Sequence, residues 1–301
     1  MTRPWSDLPA DLLSQIADRL GIIELLSFRG VCKAWQDSSS AASAKIEADS
    51  KPWFLFYGED SQCHLYNTSQ RKYTMSIPEL DGAACIASNQ GWLLIFKLGS
   101  VFFYCPFSRA KIDLPKFPHM VLSEYASAFS SPPTSSECIV AVMHRDLEYG
   151  LELYVLCRGA NTWTRRKLDS AIQYNLSAFG MATYMNETFY FFDRKNGVII
   201  SPVKDESCLR YDVVKKDNST TRKYFVPTRS PFVESDMKKK LGLGEDVSVS
   251  ICGTIRQYNC NDIIMFSEDL EAAGESENRH LKGVWIQPRF FQVSPNQSWS
   301  L

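Results

Sequence analysis

Thiolates and imidazoles are the side chains best suited to hold a metal or attack an electrophile. This chain of 301 residues holds nine cysteines and four histidines. The cysteines stand at 32, 63, 85, 105, 138, 157, 208, 252 and 260, and no two form a C-x-x-C pair. The histidines, at 64, 119, 144 and 280, show no ligand spacing with one another or with the cysteines. Cys105 ends the run VFFYC and Cys157 ends LYVLC, so these thiols read as small hydrophobes in apolar strands. An odd number at irregular positions fits reduced cysteines, and neither zinc nor any other cofactor is implied. Gly242-x-Gly244 does not join a strand to a helix, so it is no phosphate loop, and no Gly-x-Ser-x-Gly elbow occurs. Lys238-Lys239-Lys240 could serve as a nuclear import signal, but Glu234, Asp236, Glu245 and Asp246 flank it, as on an ordinary solvated face.

Carboxylates are plentiful, and none is singled out as one of a pair. Hydrolysis of a glycoside would need two acids facing each other across a cleft. Composition narrows the field further. Hydrophobic residues make up 45% and the net charge is −1, which supports a real core and gives no general pull toward nucleic acid or anionic lipid. No apolar run reaches the roughly 18–20 residues of a membrane helix, and the N-terminus lacks a basic-then-apolar signal. The expectation is an intracellular protein, in the nucleus, the cytoplasm or both.

From Lys51 onward the texture is that of short β-type runs between turn residues. Trp53–Tyr57, Cys63–Asn67, Lys72–Ile77, Trp92–Phe96 and Val101–Cys105 come first. Ile139–Met143, Leu151–Cys157, Thr162–Lys167, Ala178–Tyr184, Thr188–Phe192 and Val198–Ser201 follow. Leu209–Val214, Arg222–Val226, Val247–Cys252 and Ile263–Phe266 complete the set. A weak repeat runs through it: an apolar strand with a tyrosine, a polar turn, then a basic-flavoured strand. Tyr66, Tyr104, Tyr154 and Tyr211 mark the units, at intervals near the roughly 40–50 residues of a propeller blade, the last interval being longer. Residues 51–301 would then hold roughly five or six blades. Residues 228–246 read as an insertion between blades and 267–282 as an exposed, acidic loop.

The N-terminus differs. Pro9 suits the first turn of a helix, with Ser6 and Asp7 as caps and Asp11 favourable to the dipole. Leu12, Leu13, Ile16, Ala17 and Leu20 recur at helical spacing. Arg19 and Gly21 read as a stop. Ile22, Ile23, Leu25, Leu26 and Phe28 make a second apolar run, which Gly30 interrupts; Val31, Cys32 and Trp35 form a third small face. Residues 36–50 finish this helix and connect onward. Three short helices of this kind have more apolar surface than so small a bundle can hide. Two coverings are open: the chain's own β-domain, or another polypeptide. A DNA-reading helix-turn-helix fits poorly, because residues 1–40 hold four basic against five acidic side chains.

Leu8-Pro9, Asp11-Leu12-Leu13, Ile16, Arg19-Leu20, Leu25-Leu26, Arg29 and Val31-Cys32-Lys33-x-Trp35 resemble an F-box. Gln36 departs from the pattern, a basic residue being common there. The resemblance implies docking on a Skp-type adaptor, and through it on a cullin scaffold in an SCF ubiquitin ligase. By analogy the contact falls to Leu8, Pro9, Leu12, Leu13, Ile16, Leu20, Val31, Cys32 and Trp35. Each large apolar side chain buried there would contribute about 1.5–3 kcal/mol before association costs.

The remainder lacks the Gly-Gly of standard kelch repeats and the Trp-Asp of WD repeats. It is similar instead to the degenerate, kelch-like, F-box-associated propeller of a large plant family. Gly91-Trp92-Leu93-Leu94, Pro106-Phe107-Ser108 with Leu114-Pro115, and Gly283-Val284-Trp285-Ile286-Gln287-Pro288 carry that likeness. Cys105 stands where the family often has asparagine. The expected fold is mainly β with a small α-helical module: an F-box in 1–45 and a degenerate propeller in 51–301. The expected function is a non-catalytic, substrate-recognising ligase subunit with an unidentified target protein and no nucleic acid, membrane or metal partner. Trp163, Tyr149, Arg145 and Arg194 could serve on loops at one end of the ring, but each reads equally as packing or plain surface, so no target-binding residue is assigned. The alternatives are a propeller glycoside hydrolase and an F-box scaffold that does not promote degradation.

Overall fold

Runs such as WLLIFK and VFFYC are apolar on both faces because each blade of a propeller is sandwiched between two others. The computed structural model describes residues 5, 8–39, 52–58, 61–67, 71–146, 150–168, 172, 179–193, 197–205, 208–212, 248–252, 280–291 and 298–300. Three of its four sheets are antiparallel meanders. The first is β4 (Ala84–Asn89), β5 (Trp92–Lys97), β6 (Ser100–Cys105) and β7 (Ala110–Asp113). Next comes β8 (Glu124–Phe129), β9 (Ile139–Asp146), β10 (Gly150–Cys157) and β11 (Thr164–Lys167). The last is β12 (Phe179–Met185), β13 (Thr188–Asp193), β14 (Gly197–Pro202) and β15 (Leu209–Asp212).

The fourth sheet joins the two ends of the chain. β17 (His280–Ile286) pairs antiparallel with β1 (Trp53–Tyr57), followed by β2 (Gln62–Tyr66) and β3 (Lys72–Ser76). β16 (Ser248–Cys252) lies parallel on the other side of β17. This sheet therefore takes two strands from the C-terminal end of the chain and three from the N-terminal end, and pairs the two ends with each other.

The strands β4, β8 and β12 pack one against the next, at the inner edge of their sheets. There the blades converge and space is short, and the side chains are small: Ala87 and Ser88, Ala126 to Ala128, Ala182 and Thr183. Serines stitch neighbouring blades together. Ser127 Oγ donates to Ile86 O at 2.6 Å and Ser88 Oγ to Trp285 O at 2.6 Å. Alternation along β10 shows the sandwich directly. Tyr154 and Leu156 enter the core shared with the β4–β7 sheet, while Leu151, Leu153 and Val155 enter the core shared with the β12–β15 sheet.

Most predicted strands stand where the pattern puts them. The exceptions have physical causes. Ala84–Asn89 and Glu124–Phe129 were not predicted, because alanine and serine carry no strand signal. Ala110–Asp113 is the basic-flavoured strand of the repeat that Tyr104 marks, four residues long at the edge of its sheet. Residues 280–282, expected in a loop, open β17, where Lys282 Nζ donates to Ala83 O at 3.1 Å. Tyr66, Tyr104 and Tyr154 occupy equivalent strands, but Tyr211 lies on the outermost strand of its sheet, one strand beyond the repeat. That shift accounts for the long last interval. Arg222–Val226, the 228–246 insertion with Lys238-Lys239-Lys240, Ile263–Phe266 and residues 267–279 lie outside the described residues.

Gly283 sits opposite Phe56 in the closing pair, beneath the ring of Phe54. A Cβ there would meet Phe54 Cε1 at 2.8 Å and Cζ closer still. Gly283→Ala is expected to destabilise the protein by roughly 1–3 kcal/mol, the cost of overpacking a tight site. Phe54→Leu in the same chain should recover part of that loss. Urea melts of the two variants check this; a neutral Gly283→Ala would show that β17 does not press against β1 as described.

Candidate functional site

The N-terminal module is α1 (Ala10–Ala17), α2 (Ile22–Arg29) and α3 (Lys33–Ser38). α1 begins one residue later than the sequence suggests, with Pro9 as its cap residue and Asp11 in the first turn. Gly21 is the cap of α2 rather than the stop of α1, which ends at Asp18. The module's own core is small: Leu13, Ala17, Leu25 and Phe28, with Leu8, Leu20 and Trp35 against it. Trp35 tilts over Phe28 with ring centroids 4.4 Å apart, and Ser14 Oγ donates to Ser38 O at 2.8 Å, tying α1 to α3.

The nine predicted docking residues therefore divide. Leu13 faces inward and is fully buried. Leu8, Leu20, Cys32 and Trp35 are half-buried. Pro9 is exposed, as are Leu12 at 43%, Ile16 at 42% and Val31 at 57%. Leu12 and Ile16 form one stripe of α1 at helical spacing, continued by Pro9 just before the helix, about 100° round the axis from the buried Leu13 and Ala17. The helix is apolar on two sides, and this chain covers only one of them.

α2 is covered on both. Leu25 and Phe28 serve the module's core, while Ile22 belongs to the β-domain's core and Ile23 and Leu26 pack against it. Arg29 completes the joint. Its guanidinium lies 4.0 Å from the centroid of the Phe290 ring, and Nη1 donates to Ser39 Oγ at 3.0 Å. Burial lowers the pKa of Arg29, and nearby Asp37 partly offsets this. Of the two coverings left open by the sequence, the β-domain supplies one, on α2, while the outer stripe of α1 is bare in this structure.

Phe290 belongs to a C-terminal strap that sequence reasoning did not single out. Phe291 tilts against Trp92 at 5.2 Å, and Cys105 Sγ donates to Arg289 O at 3.5 Å. Further on, Trp299 is buried between the β4–β7 and β8–β11 sheets. It stacks on Phe103 at 5.9 Å, with Arg158 5.1 Å from its centroid, and its carbonyl accepts from Gly159 N–H.

Groups capable of chemistry are held in structural bonds. Glu152 is the one buried carboxylate among the described residues. Arg165 pairs with it, the Tyr154 hydroxyl donates to it, and His119 Nε2 lies 3.3 Å away. It stands between blades, on the third strand of its sheet, not at the ring axis. Trp163 Nε1 donates to Pro115 O at 2.9 Å and Arg145 is paired with Glu124, so both serve the fold. Tyr149 and Arg194 lie outside the described residues. The described cysteines are free thiols, and burial pushes Cys138 up to about 12. Among the described residues no cluster of His, Cys, Asp or Glu is placed to hold a metal, and no helix is long and apolar enough to cross a membrane.

Comparison with known proteins agrees with this division. The F-box domain model matches residues 5–41, and the KIB1-4 beta-propeller model matches residues 64–241, more than half of the chain. The Arabidopsis thaliana F-box/kelch-repeat protein At1g57790 is 29% identical over 287 residues, covering 93% of this chain and 72% of that protein. F-box protein At3g56470, from the same plant, is 26% identical over 61% of this chain and 50% of its own length. F-box protein At1g49360 is 28% identical over 61% of this chain and 40% of its own. The chain thus spans half or less of the latter two relatives.

The Arg29–Phe290 contact generates a direct test. Arg29→Ala and Phe290→Ala should each lower stability, and a double-mutant cycle should return a coupling of about 0.5–2 kcal/mol, the range for a cation over a ring. Thermal or urea melts measure it. Additive effects would mean that the module and the β-domain are not clipped together at this point.

Proposed function

The chain belongs to the F-box proteins of the KIB1-4 β-propeller family, and from that premise we propose that it is the substrate-recognition subunit of an SCF-type ubiquitin ligase. The F-box takes a Skp-type adaptor, which joins it to a cullin scaffold; the propeller takes a target protein. One observation carries the reading. After the F-box has packed on its own propeller, Pro9, Leu12, Ile16 and Val31 are still exposed. An uncovered apolar stripe on a helix is costly in water and stabilising against a partner. Leu13, Leu8, Leu20, Cys32 and Trp35 act from behind, holding that stripe in place.

The chemistry follows from placement. A receptor that fixes a target beside a ubiquitin-charged enzyme converts a bimolecular encounter into one of high effective concentration. No acid, base or nucleophile of this chain takes part. The clip between Arg29 and Phe290 and the insertion of Ile22 into the propeller core support such a role, since the held target keeps one position relative to the adaptor. This reading places the protein inside the cell, in the nucleus or cytoplasm.

Leu12→Asp with Ile16→Asp should reduce capture of a purified Skp-type adaptor at least about tenfold, the loss expected when central apolar contacts are removed. Thermal melts of the variant should stay near wild type, because both side chains are already exposed. Leu13→Ala should do the reverse in kind, lowering the melt first. Undiminished adaptor capture by the Leu12/Ile16 variant would overturn the receptor reading.

A further inference from the structure

Leu98, Met120 and Val121 are exposed at 70%, 53% and 69%, and all three belong to one end of the β4–β7 sheet. Leu98 and Gly99 form the two-residue turn from β5 to β6. Met120 and Val121 lie on the connection from β7 to β8. Phe117 N–H donates to Gly99 O at 3.0 Å, which seats this connection on the turn. Met120 lies over Gly99 so closely that a Cβ on residue 99 would stand 2.8 Å from its sulfur. Leu98, Met120 and Val121 are therefore exposed at the same end of this sheet.

Leu98 is an unexpected choice for its place. Its φ is +47° and that of Gly99 +77°, the signature of a hairpin turn that asparagine or aspartate fills at low cost. A large, solvent-facing leucine there carries a backbone penalty of about 1–2 kcal/mol. Position matters as well. β5 runs from Trp92 to Lys97, about 20 Å at the usual rise per residue. The strap that clips the F-box touches the Trp92 end, through Phe291, and the patch lies beyond the other. It is on the propeller face away from the F-box. Charge is the third observation. The segments 97–100 and 114–123 contain Lys97, Lys116 and His119, and the carboxylates that border them, Asp113 and Glu124, are paired with Lys111 and Arg145; Lys97 Nζ donates to the Asp81 carbonyl. Lys116 is exposed, and the buried carboxylate beneath, Glu152, is already neutralised by Arg165.

We infer that this face is the target-recognition surface, and that its occupant is a segment of a partner protein with apolar side chains flanked by carboxylates. The inference deepens the receptor reading and rests on it for why a target is held here. Apolar side chains of the partner cover Leu98, Met120 and Val121, and its carboxylates meet Lys97 and Lys116.

The test uses the full chain, immobilised and panned against a phage-displayed library of short random peptides. Selected peptides are expected to combine large apolar residues with Asp or Glu. They should bind a Met120→Asp, Val121→Asp variant roughly tenfold or more weakly, as for loss of central interface contacts. Lys97→Glu with Lys116→Glu should shift the selection toward basic flanks. Both variants should capture the Skp-type adaptor as wild type does. Peptides that bind the variants as tightly as wild type, or a selection without apolar and acidic enrichment, would overturn the inference. So would sedimentation of wild type as a dimer and of the Met120/Val121 variant as a monomer, since a second copy would then own the patch. A wild-type chain that selects such peptides yet captures no adaptor would count against the receptor reading and not against this surface.

Discussion

The antiparallel pairing of β17 with β1 is the contact on which the rest of the molecule depends. It joins residues from the two ends of the chain, and the entropy of closing so long a loop is offset by this pairing and the packing around it. The pairing is tight because Gly283 lets Phe54 lie across the strand, and Trp285 packs edge-on against Phe54 at 4.8 Å. Once β17 is in place, the residues that follow are delivered to the neighbouring blades. Phe291 reaches Trp92, and Trp299 reaches the seam beside Phe103. Each of these contacts is local in space and remote in sequence, so none forms without the closure.

The F-box is held by the same closure. Phe290 stands on the strap a few residues beyond β17, and Arg29 rests on its ring. Arginine suits this joint. Its planar cation stacks on an aromatic face while its N–H groups stay free to bond Ser39. The F-box core contains only four fully buried apolar side chains among the described residues, too few to fold a module of this size unaided. Support comes from α2, which gives Leu25 and Phe28 to one core and Ile22 to another. α2 is apolar on two faces, one packed in its own module and the other on the propeller, and it leaves Glu24 and Ser27 to solvent.

This explains which parts of the architecture were legible in the sequence. Second and third strands of the blades announce themselves, because burial on both faces demands continuous apolar runs such as Trp92 to Phe96. Inner strands do not. Their residues must be small where blades converge, and Ala126-Ser127-Ala128 has the composition of a loop. The helical stripe over Leu12, Leu13, Ile16 and Ala17 was equally plain. Its division into an inward half and an outward half was not, since spacing reports apolarity and not which side a neighbour already covers. Trp299 and Phe290 gave no signal at all: each is an aromatic in a segment with no periodicity, and its role depends on where β17 delivers it. The exposed apolar end of the β4–β7 sheet hid for a related reason: Leu98 and Met120 are separated by a strand pair, and Met120 reaches the turn because Gly99 carries no side chain.

A single propeller strand separates the strap that holds the F-box from the patch at the other face, and that spacing has a mechanical consequence. A flexible tether between adaptor-binding and target-binding parts would hold a target nearby but let it wander, and effective concentration falls as the accessible volume grows. Here the two parts share hydrophobic cores and a strap. The adaptor stripe on α1 and the apolar patch at Leu98 therefore keep fixed positions on one body, facing different ways. Under the receptor reading proposed above, a target seated on the patch would not compete with the adaptor for surface, and its distance from the scaffold would be set by the propeller and not by a linker. Rigidity between the two faces is what the fold would contribute to such a role.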